Sequence, residues 1–255
     1  MILARTEITV GSGGAARRIA ILERAGRAPG ILFLGGFMSD MRGSKAEALD
    51  AFAAETGRAI TRFDYSGHGE SGGDFADGTI SRWLEEAAAV LDRAGGAPLV
   101  VVGSSMGGWI ALLLALAEAK SGGGRIAGLV LLAPAVDMTH SLILPHMSAA
   151  ARAEMEATGA WRQPSAYSDT PYVITKALIE DGARHLLGDK PIAIRAPVHI
   201  IQGVLDEEVP WGHAVDLVSH LAEDDVVLTL VKDAGHRLSR PEDLAKIISA
   251  IAAIA

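Results

Sequence analysis

A chain of 255 residues, 49% hydrophobic and 21% charged, has the length and composition of one large globular domain that buries a substantial core. The formal net charge is −8 with acidic and basic residues interspersed, which excludes the basic footprint expected of a nucleic-acid-binding protein. Cysteine is absent, so disulfides, thiolate nucleophiles and cysteine metal sites are excluded together.

The N-terminal MILARTEITV carries Arg5 and Glu7 and has neither the apolar stretch of a secretory signal nor the Arg- and Ser-rich character of a transit peptide. ARTEITV and RRIAILE predict two strands joined through GSGGAA as a hairpin; no Lys-Ser/Thr follows those glycines, so a phosphate loop is not expected. GILFLGG (30–36) predicts a buried strand and KAEALDAFAAETG a helix. Strand AITRFDY, helix TISRWLEEAAAVLDRAG, strand PLVVVG, helix WIALLLALAEAK and strand IAGLVLLAP continue the alternation. Strands that are apolar throughout, alternating with helices, predict an α/β fold whose mostly parallel sheet carries helices on both faces. The run WIALLLALA falls well short of the ~20 residues that span a bilayer. A soluble, cytoplasmic protein without a transmembrane segment is the expectation.

The alternation stops at about Val136 and resumes after Lys190 with strand PVHIIQG, helix WGHAVDLVSHL, strand DVVLTLV and helix PEDLAKIISAIAAIA. The interval 136–190 contains helical stretches and no buried strand. Ligands bind at the carboxyl ends of strands in open parallel sheets, so this insertion predicts a small helical cap over a pocket at that edge.

Between strand PLVVVG and helix WIALLLALA stands GSSMGG, which fits the G-x-S-x-G elbow in the strand–turn–helix setting the motif requires. Ser105 takes the central position, and Gly103 and Gly107 relieve crowding in a sharp turn. A serine hydroxyl needs a base, and the base needs an orienting acid. In sheets of this type the chain order is serine, acid, histidine. HIIQGVLDEEVP puts Asp206 on the loop after one strand, ahead of Glu207 and Glu208, and LTLVKDAGHRLSRPEDL puts His236 on the loop after the next. The 30 residues between them leave room for one helix and one strand. An acyl-transfer site also needs oxyanion donors, and the backbone N–H groups of Phe37, in FLGGFMSD, and Met106 are the expected pair.

The other histidines read differently. His199 lies inside a strand, His213 and His220 sit on the intervening helix, and His140, His146 and His185 belong to the cap. FDYSGHGESGG, with Asp64 and His68, reads as a loop that shapes the path from strand to helix, and Asp233 reads as a solvated charge. GGDFADG lacks the ligand positions of a calcium loop. No H-E-x-x-H, G-x-G-x-x-G or Walker sequence appears, so neither metal nor cofactor is expected.

These residues together resemble the α/β-hydrolase fold. GILFLGGFMSDMRGSKA, RFDYSGHGESGG, GSSMGGW, GAWRQPSAYSD and VPW are similar to a narrower subfamily of acyl-protein thioesterases that also cleave acyl glucuronides, from about Gly30 to near the end of the chain. The resemblance implies Ser105, Asp206 and His236 as nucleophile, acid and base, without cofactor. GGF stands where the subfamily has Pro-Gly-aromatic.

The combined expectation is a serine hydrolase acting on a small-molecule acyl ester or an S-acylated protein. In the cap, Trp161, Tyr167, Tyr172 and His140 are candidates for an apolar acyl wall, and Arg162 for a substrate carboxylate. Carbon–carbon or peptide-bond hydrolysis on the same fold, and a slow-turnover ligand receptor, are the alternatives.

Overall fold

The computed structural model describes residues 2–163, 171–188, 190–221 and 224–255. Strands β1 (Ala4–Val10) and β2 (Arg17–Arg24) form the expected antiparallel hairpin, Ala4 opposite Glu23 and Val10 opposite Arg17. They are followed by β3 (Arg27–Leu34), α1 (Ser44–Thr56), β4 (Arg58–Phe63), α2 (Ile80–Arg93), β5 (Leu99–Ser104), α3 (Met106–Ser121) and β6 (Ile126–Leu132). After the insertion come β9 (Val198–Gly203), α6 (Trp211–His220), β10 (Val226–Val231) and α7 (Pro241–Ile254). The large sheet has the order β1-β2-β4-β3-β5-β6-β9-β10, parallel from β4 onward.

The apolar strands are explained by burial on both faces. Leu32 and Leu34 of β3, with Leu99 and Val101 of β5, pack towards α2, α3 and α6 through Trp83, Trp109 and Leu217. Their neighbours Ile31, Phe33, Val100 and Val102 pack towards α1 and α7 through Leu49, Ile247 and Ile251. Successive side chains of a strand point to opposite faces, so a sheet covered twice is written as an unbroken apolar run. Helix α3 is apolar on every side for the same reason and is buried along its first half.

Two readings need correction. β3 starts at Arg27 rather than Gly30, with Pro29 inside it, and a register irregularity against β4 between Arg27 and Ile31 absorbs the missing donor. Between β6 and β9, α4 (Ala149–Thr158) and α5 (Lys176–Gly182) enclose a two-stranded antiparallel sheet, β7 (Ala160–Gln163) and β8 (Tyr172–Thr175). The insertion is therefore not purely helical. Four-residue strands leave too few positions for a period to show, and their pairing, Trp161 opposite Ile174, is a tertiary fact. Met147, Ala151, Met155, Ile174 and Ile179 give this insertion its own small core. Phe37 and Ile143 pack against both that core and the main one.

Candidate active site

Ser105 sits between β5 and α3 with φ 53° and ψ −119°, a conformation that costs a non-glycine residue on the order of 1–3 kcal/mol. Surrounding backbone holds it there. Its N–H donates to Leu132 O at 2.9 Å, and its carbonyl accepts from Gly108 N at 2.9 Å and Ala135 N at 3.1 Å. The flanking glycines are required by close approach. A Cβ at Gly103 would lie 2.4 Å from Gly107 O, and one at Gly107 would lie 2.2 Å from Leu34 O in β3.

The loops after β9 and β10 bring Asp206 and His236 to the same place. His236 Nε2 lies 3.0 Å from Ser105 Oγ, and His236 Nδ1 lies 2.8 Å from Asp206 Oδ2. A carboxylate accepts, so Nδ1 carries the proton and Nε2 is left as the acceptor for the serine hydroxyl. The Asp206 side chain is fully buried, and its negative charge is met by donors. Glu208 N–H (3.0 Å) and Val209 N–H (2.9 Å) reach Oδ1, and Gln202 Nε2 reaches Oδ2 at 3.0 Å. Glu207 and Glu208 do not take its place, but the Glu208 carboxylate stands 3.6 Å from His236 Nε2.

Gly36 lies beside the serine, since a Cβ there would fall 3.3 Å from Ser105 Cβ. Among the described residues, neither Phe37 N–H nor Met106 N–H meets a protein acceptor. The loop carrying Phe37 is fastened from the side. Met38, at φ 54°, donates its N–H to His68 Nε2 at 3.1 Å, and His68 Nδ1 donates to Ser66 O at 3.1 Å. Burial pushes the His68 pKa down to about 4, so the ring is neutral with Nε2 free to accept. Asp64 takes Met41 N–H at 2.6 Å and Glu70 N–H at 2.7 Å, and burial raises its pKa against the lowering effect of those bonds. FDYSGHGESGG thus does more than shape a path, because it clamps the neighbouring loop. Sequence reading missed this, and the available signal was two ionisable residues in a short loop otherwise built for close packing.

The candidates in the insertion are dispersed. Trp161 is half-buried against the small core of the insertion, His140 pairs with Thr139 Oγ1 at 2.9 Å, and Arg162 is exposed. No hydrogen bond or ion pair joins any of the three to the triad; Tyr167 lies outside the described residues. Two further histidines of the insertion have local partners, His146 with Leu142 O and His185 with Ser81 Oγ at 2.6 Å. His213 Nε2 donates to Val136 O at 2.9 Å, and Asp233 is exposed but paired with Arg240. A cavity of about 150 Å³ lies elsewhere, lined by Val136, Asp137, Ser141, His213 and Leu217, and touches no triad member. Among the described residues no cluster of three or more His, Asp or Glu is placed to hold a metal ion, and no helix is long and apolar enough to cross a membrane.

A serine–histidine–aspartate arrangement on loops after successive parallel strands is compatible with several hydrolytic families. Residues 31–247 match the sequence family described as the alpha/beta hydrolase family. The chain belongs to the α/β hydrolase family. This hydrolase is 34% identical to palmitoyl-protein thioesterase ABHD10, mitochondrial, of Mus musculus over 236 residues, 91% of this chain and 77% of the relative. It superposes on a crystal structure from Agrobacterium vitis S4 with a TM-score of 0.96 at 49% identity, covering 100% of this chain and 99% of the other. With alpha/beta hydrolase domain-containing protein 10 from mouse the TM-score is 0.85 at 30% identity, covering 98% of each chain.

Proposed function

We propose that this α/β hydrolase cleaves acyl thioesters and esters, S-acylated proteins among them, through an acyl-enzyme on Ser105. The relay of 3.0 Å and 2.8 Å through His236 carries the reading. Ser105 Oγ attacks the acyl carbonyl as His236 Nε2 takes its proton, and the Phe37 and Met106 N–H groups receive the oxyanion. Collapse breaks the bond to sulfur or oxygen, and the proton on Nε2 passes to the leaving group. Water then attacks the acyl-enzyme with His236 again as base, releasing the acid and restoring the hydroxyl. Asp206, whose charge is held by Gln202 and two backbone donors, fixes the ring's tautomer and stabilises the imidazolium.

Residues 136–190 form the cap in this reading. Its small core, with Trp161 and Tyr172 packed against it, meets the Phe37 side chain, and that contact supports an apolar wall for the acyl chain, with His140 and Arg162 at its margin. A thioester substrate class is supported by the name of the mouse relative, a palmitoyl-protein thioesterase. A cytoplasmic location is part of the proposal; the relatives are named mitochondrial, and imaging of the native protein in its host decides between them.

Ser105→Ala tests the assignment. On a p-nitrophenyl acyl ester kcat is expected to fall by about 10⁴–10⁶, with loss of fluorophosphonate labelling. Turnover near that of the wild type would refute it. A panel of S-acyl peptides, p-nitrophenyl esters and acyl glucuronides on the wild-type enzyme ranks the substrate classes.

A further inference from the structure

We infer that Glu208 makes this hydrolase select its substrates by the charge of the leaving group, favouring cationic or neutral leaving groups over anionic ones. The inference rests on the reading of His236 as the base and acid of the reaction. The Glu208 carboxylate lies 3.6 Å from His236 Nε2, on the opposite side of the ring from Asp206, which binds Nδ1. Nε2 is the atom that must hand a proton to the departing sulfur or oxygen, so that atom comes within hydrogen-bond reach of it, about 3.2 Å or less. The leaving atom is therefore no farther than about 7 Å from Glu208 Oε2.

Among the described residues no lysine or arginine lies within ion-pair distance of the Glu208 carboxylate. It is also anchored, because the Glu208 N–H is bonded to Asp206 Oδ1 and the side chain leaves from a fixed point of the acid loop. The side chain is 40% exposed, so solvent moderates its field without removing it. The chain's overall charge of −8 adds to the same preference at longer range. The substrate class that follows is an acyl group on a thiol or hydroxyl with neutral or basic surroundings, such as an S-acyl cysteine flanked by lysine or arginine. A leaving group bearing its own carboxylate, as a sugar acid does, is turned over more slowly than a neutral one of the same reactivity.

Three thioesters with one acyl chain and different leaving thiols test this directly. S-octanoyl thiocholine is cationic, S-octanoyl-N-acetylcysteamine is neutral, and S-octanoyl-3-mercaptopropionate is anionic. The quantity read is the cationic-to-anionic ratio of kcat/KM, compared between wild type and Glu208→Gln so that intrinsic reactivities cancel. Each probe charge lies two or three bonds beyond the leaving atom, roughly 10 Å from Glu208. The cation's attraction and the anion's repulsion both enter the ratio, so removing the charge is expected to lower it about tenfold. Glu208→Lys should lower it further, and raising salt should shrink the wild-type preference. An equal change in all three substrates would mean that Glu208 acts on the imidazole alone, and would overturn the inference while leaving the hydrolase reading intact. No turnover of any of the three, or of a p-nitrophenyl ester, by the wild type would overturn the hydrolase reading itself.

Discussion

His68 offers the sharpest link between protonation, loop geometry and stability. Its Nε2 accepts from Met38 N–H and its Nδ1 donates to Ser66 O, an arrangement available only to the neutral ring. Folded, the ring ionises at about pH 4; its ordinary value is 6.5. Above pH 6.5 neither state binds the proton and His68 adds no pH dependence. Between 6.5 and 4 the unfolded chain takes a proton that the native state refuses, so stability falls as pH falls. The full loss, reached below pH 4, is about 3 kcal/mol. His68→Phe isolates this contribution. The ring sits among Phe75, Trp83 and Tyr65 at centroid distances of 5.1, 5.4 and 5.9 Å, so phenylalanine suits its surroundings but cannot titrate. At pH 7 the variant should be less stable by about 1–3 kcal/mol, because Met38 N–H loses its acceptor, and slower by up to about 10²-fold in kcat as the loop proposed to bind the oxyanion through Phe37 N–H loosens. Urea unfolding at pH 7 and pH 4.5 should show the wild type losing about 2–3 kcal/mol more than the variant. Equal losses in the two proteins, or an NMR titration of the His68 ring near pH 6.5, would refute the reasoning.

Two further outcomes are expected. Gly107→Ala forces a methyl group to within 2.2 Å of Leu34 O and 2.5 Å of Gly35 O, both backbone, and should lower stability by at least about 2–3 kcal/mol in a urea melt; Gly14→Ala, with nothing within 4 Å, should be neutral within about 0.5–1 kcal/mol. Lys45 donates its Nζ to Arg237 O, and burial, reinforced by the Arg237 charge and opposed by Asp243, lowers its pKa to about 8 from 10.5. Between those values the unfolded chain holds a proton that the native state has released. Wild-type stability should therefore rise relative to Lys45→Met as pH goes from 8 to 10, by on the order of 2 kcal/mol, and an unchanged difference across that range would exclude a buried, titrating Lys45.

What could be read from the amino acids alone followed from how strongly each feature is over-determined. PLVVVG and IAGLVLLAP are strands buried on both faces, so composition and length identify them without any partner. GSSMGG is legible because β5, the turn and α3 each restrict the residues that fit, down to methyl-free positions at 103 and 107. Asp206 and His236 follow from chain order once the strands are placed. The β7–β8 pair was hidden because four residues hold only two repeats of the alternation that would reveal a strand. His68 and Gln202 were hidden for a different reason. Their importance lies in what they touch, a backbone N–H at Met38 and a carboxylate at Asp206, and those neighbours are 30 residues away in one case and around a turn in the other. Gln202 left one trace, a lone amide in the apolar strand HIIQG, where burial obliges it to find partners.

These supports share a logic. Three loops at the carboxyl edge are fastened by polar side chains: the loop carrying Asp206 by Gln202 of β9, the loop carrying Phe37 by His68 and Asp64, and the loop carrying His236 by Lys45 through Arg237 O. Among the described residues, the loops after four strands also hold non-glycine residues at positive φ: Met38 at 54°, Ser105 at 53°, Ala133 at 44° with Asp137 at 53°, and Leu238 at 45°. Conformations of this kind persist only where the surroundings over-determine them. An oxyanion donor or a base acts at full strength only if it is already in place when charge develops, since reorganisation during the reaction adds to the barrier. The polar clamps therefore do for the loops what the doubly covered sheet does for the strands. They convert folding free energy into fixed positions for the groups proposed to react, at residues 105, 206 and 236.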